Sequence, residues 1–472
     1  MRARSYFRQI TLFLLLCVLS ISSSGAQDGK SNSQGWDAVP MILKRISPPN
    51  FPDRDFDITA SGAVGDGKTD CSEAFRKAIE KCSVEGGGRV VVPNGVYLTG
   101  PIHLKSKVNL YISKEATIRF STDPKKYLPV VFTRWEGVEC MNYSALIYAF
   151  EQHDIAITGE GTLDGQGTAE TWWSWKGSKE YGWVEGKLSQ NTARKRLFEM
   201  GERDVPVHQR LFGDGSYLRP NFIQPYKCKN ILIEGVTFKN SPMWFLNPVL
   251  CQNVSIIGVT TEGLGPNNDG CNPESSKDVL IKNCHFKNGD DCIAIKSGRN
   301  ADGRRVDVPS ENIVVQNCLM EDGHGGVVIG SEMSGGVRNV YAEGCTMDSP
   351  NLDRALRIKT NSIRGGIIEN VYMRDVTIGQ VAEAVIKVDY YYEEGDAGNY
   401  TPIVRNIDVR NVKCQKSRFA LWIRAYPRSP ATNVHLEDCT FSSVAEPNVL
   451  DNVRGLDLLN VSIEMQSDKK NR

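Results

Sequence analysis

A single right-handed parallel β-helix, all-β with one N-terminal capping helix, is the fold class this sequence predicts, and three observations predict it. Short runs of alternating Ile, Val and Leu recur between Lys229 and Cys439, at intervals of roughly 20 to 35 residues, the range of solenoid repeats. Each run opens on a polar turn residue and closes on Asn, Asp or Gly followed by a small apolar residue. Alternation at period two marks a strand with one buried face, and such short strands bury that face only by stacking coil on coil. The chain is 472 residues long, 40% hydrophobic and 24% charged, which suits a large domain with a packed core.

From the N-terminus, Arg2, Arg4 and Arg8 precede the apolar run Ile10–Ile21 and the small residues Ser22 to Ala26. That order is a secretory signal peptide over residues 1–26, cleaved after Ala26. The apolar run is shorter than the roughly 20 residues a membrane span needs. Cys17 follows Leu16, a poor lipoprotein site. Export to the periplasm or the outside is therefore expected, with residues 27–49 as a leader and residues 50–472 as the β-helix domain. Within it, Thr69 to Cys82 puts Phe75, Ala78, Ile79 and Cys82 on one helical face, as a cap over the open end of the β-helix requires. Gly86-Gly87-Gly88 and Pro93-Asn94-Gly95 are turns.

The rhythm fails from Trp172 to Pro220, within an insert over about 166–222 that is rich in Trp, Arg and Lys. It is too long for an idle loop. Trp172, Trp173, Trp175 and Trp183 stand out in it. The repeats then run Lys229–Val236, Gln252–Val259, Lys277–Cys284, Glu311–Cys318, Val337–Cys345, Glu369–Val376, Arg405–Val412 and Thr432–Cys439. In these, Cys284, Cys318, Cys345 and Cys439 hold the slot that Val236, Val259, Val376 and Val412 hold elsewhere. A slot shared by Cys and Val is a core position. Most of the chain's 13 cysteines are therefore expected to be free thiols, stacked in a column at this slot, with no Cys71–Cys82 bridge and no metal, since no close Cys/His ligand spacing appears.

Four islands interrupt the repeats: Asn267-Asn268-Asp269-Gly270, Gly289-Asp290-Asp291-Cys292, Gly323-His324-Gly325 and Arg357-Ile358-Lys359. Adjacent Asp290 and Asp291 would point to opposite faces of a strand, so both reach one groove only if the backbone turns, which Gly289 permits. Asp269 and His324 lie about one coil to either side. Arg357 and Lys359 share a face while Ile358 points inward. Such a cationic pair suits a uronate carboxylate. The formal net charge is zero, so there is no whole-molecule pull toward nucleic acid or any other polyanion.

In this order the islands resemble the polygalacturonase family of glycoside hydrolases (family 28), over nearly all of the chain after about Pro49. The usual Asn-Thr-Asp of that family has Asn268 in place of Thr, a variant shared with bacterial exo-acting members, and the Asp that commonly follows is replaced by Asn272. The stretch from Gly298 to Ser310, with Arg299, Arg304 and Arg305, is also similar to the exo-acting branch.

The resemblance implies Asp290 as general acid, Asp269 and Asp291 as holders of the attacking water, and inversion of the anomeric centre. It implies that His324 keeps the acid's proton in place and that Arg357 and Lys359, with Asn267 and Lys296, bind substrate. No cofactor or metal is implied. The substrate implied is an acidic pectic polymer or oligosaccharide, attacked from its non-reducing end, with the insert from Trp172 to Pro220 expected to close one end of the groove and Trp172, Trp173, Trp175 and Trp183 as candidates for stacking on sugar rings. Tyr390-Tyr391-Tyr392 could line the same site or be structural. The rival readings are a hydrolase of rhamnogalacturonan or xylogalacturonan, a calcium-dependent pectate lyase, and a non-catalytic glycan-binding β-helix. The sequence carries no sign of an oligomeric state.

Overall fold

The structure, a computed structural model, describes residues 35–467. The expected signal peptide, the first part of the expected leader and Cys17 lie outside the described residues. The fold is a parallel β-helix. Its largest sheet stacks the repeats in register, so that Ile231, Val254, Val279, Ile313, Val340, Val371, Ile407, Val434 and Leu456 lie one above the next. A second sheet stacks Ile295, Ile329, Ile358, Val388, Ile423 and Leu450 in the same way. Inward residues of both sheets belong to one continuous apolar core. The cap is the helix Ser72–Val84, which buries Ala74, Phe75, Ala78, Ile79 and Cys82. All twelve cysteines among the described residues are free and buried.

The polar residues that open and close each repeat have a conformational reason. Asn230, Asn253, Asp278, Asn312, Asn339, Asn370, Asn406 and Asn433 all have φ between 55° and 60°. This left-handed conformation costs most L-residues about 1–2 kcal/mol but is tolerated by Asn and Asp. Their side chains form a ladder: Asn339 donates to Asn312 at 3.1 Å, Asn370 to Asn339 at 3.1 Å, Asn406 to Asn370 at 2.9 Å and Asn433 to Asn406 at 3.1 Å. A second left-handed position closes each strand, at Gly235, Gly258, Asn283, Asn317, Gly344, Asp375, Asn411, Asp438 and Asn460.

Residues 35–49 of the expected leader are among those described. Residues Gly35–Ala38 and Val39–Arg45 form a short helical strap that lies on the outside of the largest sheet. There the alternation that marks one buried face breaks down, because Leu280, Val314, Tyr341 and Tyr372 are apolar and point outward in register. The strap covers them with Val39, Ile42 and Ile46. Trp36 meets Tyr341 and Tyr372 edge-on at 5.7 and 6.1 Å, under the Arg374 guanidinium at 4.0 Å. Arg45 reaches Asp278 at 2.7 Å, and Ser47 exchanges hydrogen bonds with Asn253. Both of these partners are rungs of the asparagine ladder.

Because each ladder residue supplies both a rare backbone conformation and hydrogen bonds to its neighbours, Asn339→Ala is expected to cost about 2 kcal/mol. Asn339→Gly, which keeps the conformation, should cost less. Urea unfolding read by circular dichroism checks the order, which would reverse if side-chain packing rather than backbone conformation set the penalty.

Candidate active site

The islands fall on consecutive coils along one side of the β-helix. Cys271 bridges to Ile293, Ile293 pairs with Val327, and Val328 pairs with Arg357. Asp269, Asp290 with Asp291, His324 and the Arg357–Lys359 strand are therefore brought together although about ninety residues of sequence separate the first from the last. Residues 289–292 form the bend between the strands His285–Asn288 and Ile293–Ile295, which lets both aspartates face the same cleft. At Gly323 the φ is +87°, and a Cβ there would lie 1.9 Å from the Asp290 carbonyl. Glycine is thus required before His324 for its coil to close on the aspartates.

The cleft has a volume of about 240 Å³. One oxygen from each of Asp269, Asp290 and Asp291 lies within 4.8 Å of the others. Lys359 donates to Asp291 at 2.6 Å and Arg357 to its other oxygen at 3.5 Å, while Ile358 between them is buried. His324 Nδ1 is 2.9 Å from Asp290 Oδ1, which also accepts the Asp291 backbone N–H at 2.9 Å. Lys296 lies 3.7 Å from Asp269 and 3.0 Å from Glu332, over the Trp244 ring. Asn267 Oδ1 accepts from Lys176 at 2.9 Å and from Arg219 at 2.8 Å.

These contacts decide where protons sit. Burial pushes the Asp269 carboxyl up to about 8, and the neighbouring Asp290 adds to this. Burial acts upward on Asp290 as well, but the hydrogen bond and charge of His324 outweigh it and hold that carboxyl well below the usual range. The hydrogen bond and charge of Asp290 raise His324 to about 9. In the free protein near neutral pH, one proton is on Asp269 and His324 is an imidazolium donating to an ionised Asp290. The expectation that His324 keeps a proton on Asp290 is therefore corrected for the free state, because an imidazolium at 2.9 Å favours the carboxylate. Transfer of the Asp269 proton to Asp290 leaves the proton count unchanged, so the pair holds one proton between them.

Other expectations are also corrected. None of the four insert tryptophans lines the cleft. Trp172 is buried in the core, Trp173 donates to the Ser241 carbonyl, Trp175 packs edge-on against Trp172 and Tyr217, and Trp183 donates to the Lys187 carbonyl. The insert's contributions to the lining are instead Lys176 and Arg194. The lining aromatics are Trp244, which sequence reasoning missed, and Tyr392; Tyr390 is buried. Asn268 braces its turn through the Ser241 and Met243 carbonyls. Asn272 donates to Asp269 Oδ2 at 2.8 Å, so an amide stands where a fourth carboxylate would add to the repulsion.

Comparison with known proteins agrees with this geometry. Residues 213–454, just over half of the chain, match the family described as glycosyl hydrolases family 28. A probable polygalacturonase of Vitis vinifera is 30% identical over 401 residues, covering 82% of this chain and 74% of that one. The chain belongs to family 28 of the glycosyl hydrolases. It is a glycosidase. Among family 28 relatives, the crystal structure of a hyperthermoactive exopolygalacturonase from Thermotoga maritima superposes with a TM-score of 0.88 at 47% identity, covering 91% of this chain and 96% of that one. The exo-poly-alpha-D-galacturonosidase of Dickeya chrysanthemi is 28% identical, over 76% of this chain and 62% of its own length. Residues 56–115, in the first coils, match a description as rhamnogalacturonase A/epimerase, pectate lyase-like.

A divalent cation does not fit the aspartate cluster of this family 28 site. Its three carboxylates already face Lys296, Lys359, Arg357 and His324, and an added ion would be repelled by all four.

Raised values on Asp269 and His324 mean that the folded protein holds protons which the unfolded chain releases. Their stabilisation is full below the unfolded values, begins to fade above about pH 4 for Asp269 and is lost as pH rises through about 9 for His324. Asp290 acts in the opposite sense and loses its contribution in acid. In Asp290→Asn the His324 value should fall toward about 6.5, as read from the ring resonances in an NMR titration. An unchanged value would mean that Asp290 is not what holds the proton on the ring.

Proposed function

We propose that this glycosidase cleaves α-1,4-galacturonosyl linkages of polygalacturonate or its oligosaccharides, releasing units from a chain end with inversion. The observation that carries the reading is the three-aspartate cluster faced by Arg357, Lys359 and Tyr392. An acid–base set for glycosidic cleavage stands directly beside a pair of cations and a ring, with Tyr392 5.5 and 5.3 Å from the two charges. The names of the relatives point to the same substrate.

In the mechanism, a uronate carboxylate takes over Arg357 and Lys359. Asp290 delivers a proton to the leaving oxygen, and Asp269 and Asp291 orient the water and accept its proton. The mobile proton begins on Asp269, so its passage to Asp290 arms the acid and frees the base in one step. The oxygens within 4.8 Å are closer than the roughly 6.5–9.5 Å usual for inverting pairs, so distance does not carry the stereochemistry. Inversion is carried by the likeness to family 28, which assigns Asp269 and Asp291 to the attacking water rather than to the anomeric carbon.

Chain-end attack is supported by the names of the exo-acting relatives and by the charged residues that crowd the cleft. Arg194 with Glu136 and Lys176 stand on the insert side. Arg299 and Arg364 bind Glu393 and Glu394 on the other. Export by the signal peptide to the periplasm or the outside belongs to the same proposal, and suits an enzyme whose substrate is cell-wall pectin.

A time course on polygalacturonate should give monomer from the earliest points, unaffected by a calcium chelator. Asp290→Asn should lower kcat about 10²- to 10⁴-fold, the usual worth of a general acid. A ladder of oligomers would make the enzyme endo-acting, and chelator-sensitive products absorbing in the ultraviolet would make it a lyase. Proton NMR of the first-formed product should show the β-anomer, whereas the α-anomer would establish retention.

A further inference from the structure

Among the described residues lining the cleft, Lys176 is the one cation without a carboxylate within ion-pair distance. Arg194 is paired with Glu136, Lys296 with Asp269 and Glu332, Lys359 with Asp291, and His324 with Asp290. The ammonium of Lys176 instead donates to the Asn267 amide oxygen at 2.9 Å. Arg219, fully buried and also without a carboxylate, donates to that same oxygen at 2.8 Å, and its fork is fixed by Gln190 and by the carbonyls of Pro242 and Pro266. With its oxygen taken twice, Asn267 presents its NH₂ group beside the Lys176 ammonium.

The backbone under Lys176 is held firmly. It ends the 3₁₀ turn Trp173–Lys176, which is anchored by Trp172 in the core, by the Trp173–Ser241 hydrogen bond and by the packing of Trp175 on Tyr217. Burial lowers the ammonium from its ordinary value, with Glu136 only partly offsetting this at longer range. An arriving anion would restore it. Lys176 works from the Asn267 coil, whereas Arg357 and Lys359 lie three coil spacings further along the axis, roughly 14 Å at about 4.8 Å per coil. The acid–base cluster lies between them.

We infer that Lys176 is a specificity-determining residue that binds a second substrate carboxylate, on the unit across the scissile bond from the one held by Arg357 and Lys359. Arg219 acts through Asn267 as a positioning residue. This rests on the galacturonan reading above and sharpens it. The enzyme reads uronates on both sides of the bond it cuts, which excludes a backbone in which uronate alternates with neutral sugar.

The test pairs enzyme and substrate changes. Wild type, Lys176→Gln and Lys176→Arg are assayed on trigalacturonate and on two derivatives, methyl-esterified at the non-reducing or at the middle unit. In wild type each ester should lower kcat/KM by roughly 10- to 100-fold, the scale of a hydrogen bond to a charged group. In Lys176→Gln, kcat/KM on unmodified trimer should fall by a similar factor, and one ester, but not the other, should lose its effect; Lys176→Arg should restore part of the rate. If both esters penalise Lys176→Gln as they do wild type, or if both lose their effect, the inference is overturned while the galacturonan reading stands. Wild type that releases no galacturonate from unmodified trimer overturns both.

Discussion

Everything in this protein depends on a backbone constraint that repeats twice per coil, a left-handed residue near each end of the repeat strands from Lys229 onward. Where Asn, Asp or Gly supplies that conformation, the chain leaves the strand at the same point on each turn, and the next strand begins directly above the last. The asparagine ladder locks this register from Asp278 to Asn433. A slip of one residue would turn every inward Ile and Val outward. It would also carry Asp269, Asp290, His324 and Arg357 out of line, because each belongs to a different coil. The geometry of the candidate site is thus a by-product of turn chemistry, held by residues far from the cleft.

Given that register, the electrostatics of the cleft follow. Six carboxylates and five basic groups line a small volume, and nearly all of them are paired. The pairing fixes Asp291 as a tethered carboxylate, puts a proton on His324 and leaves one proton for Asp269 and Asp290 to exchange. Asn272 contributes by being an amide: it donates to Asp269 without adding charge. In the proposed mechanism a substrate carboxylate enters this balance as a competitor for Arg357 and Lys359, and its binding would loosen the hold on Asp291.

Much of this was legible in the sequence, and the limits have physical causes. The repeats could be read because strand alternation and left-handed turn residues are both local signals. Cys284, Cys318, Cys345 and Cys439 betrayed the core slot because Val fills it elsewhere. The aspartates, His324 and the Arg357–Lys359 pair stood out because they break the repeat where the coils turn. The insert was harder. Its tryptophans drew attention by size, yet Trp172, Trp173 and Trp175 pack in or against the core, and the cation they place, Lys176, looks like any surface lysine until its neighbours are known. Trp244 was invisible because a lone Trp in a buried stretch has no periodic signature. The outward apolar stripe of Leu280, Val314, Tyr341 and Tyr372 was a readable departure from alternation, and the strap of residues 35–46 is what it implied.

That strap has a consequence for the order of assembly. It is made before any coil, yet its docking partners are Asn253, Asp278, Val314, Tyr341 and Arg374, which span five successive repeats. The first segment of the described chain to emerge is therefore among the last able to settle. Until residue 374 has joined its coil, Trp36 has nothing complete to rest on, and once docked it ties those five repeats together as a clasp across their outer face. Loss of any one coil then requires release of the clasp, which couples the middle of the solenoid into a single cooperative unit.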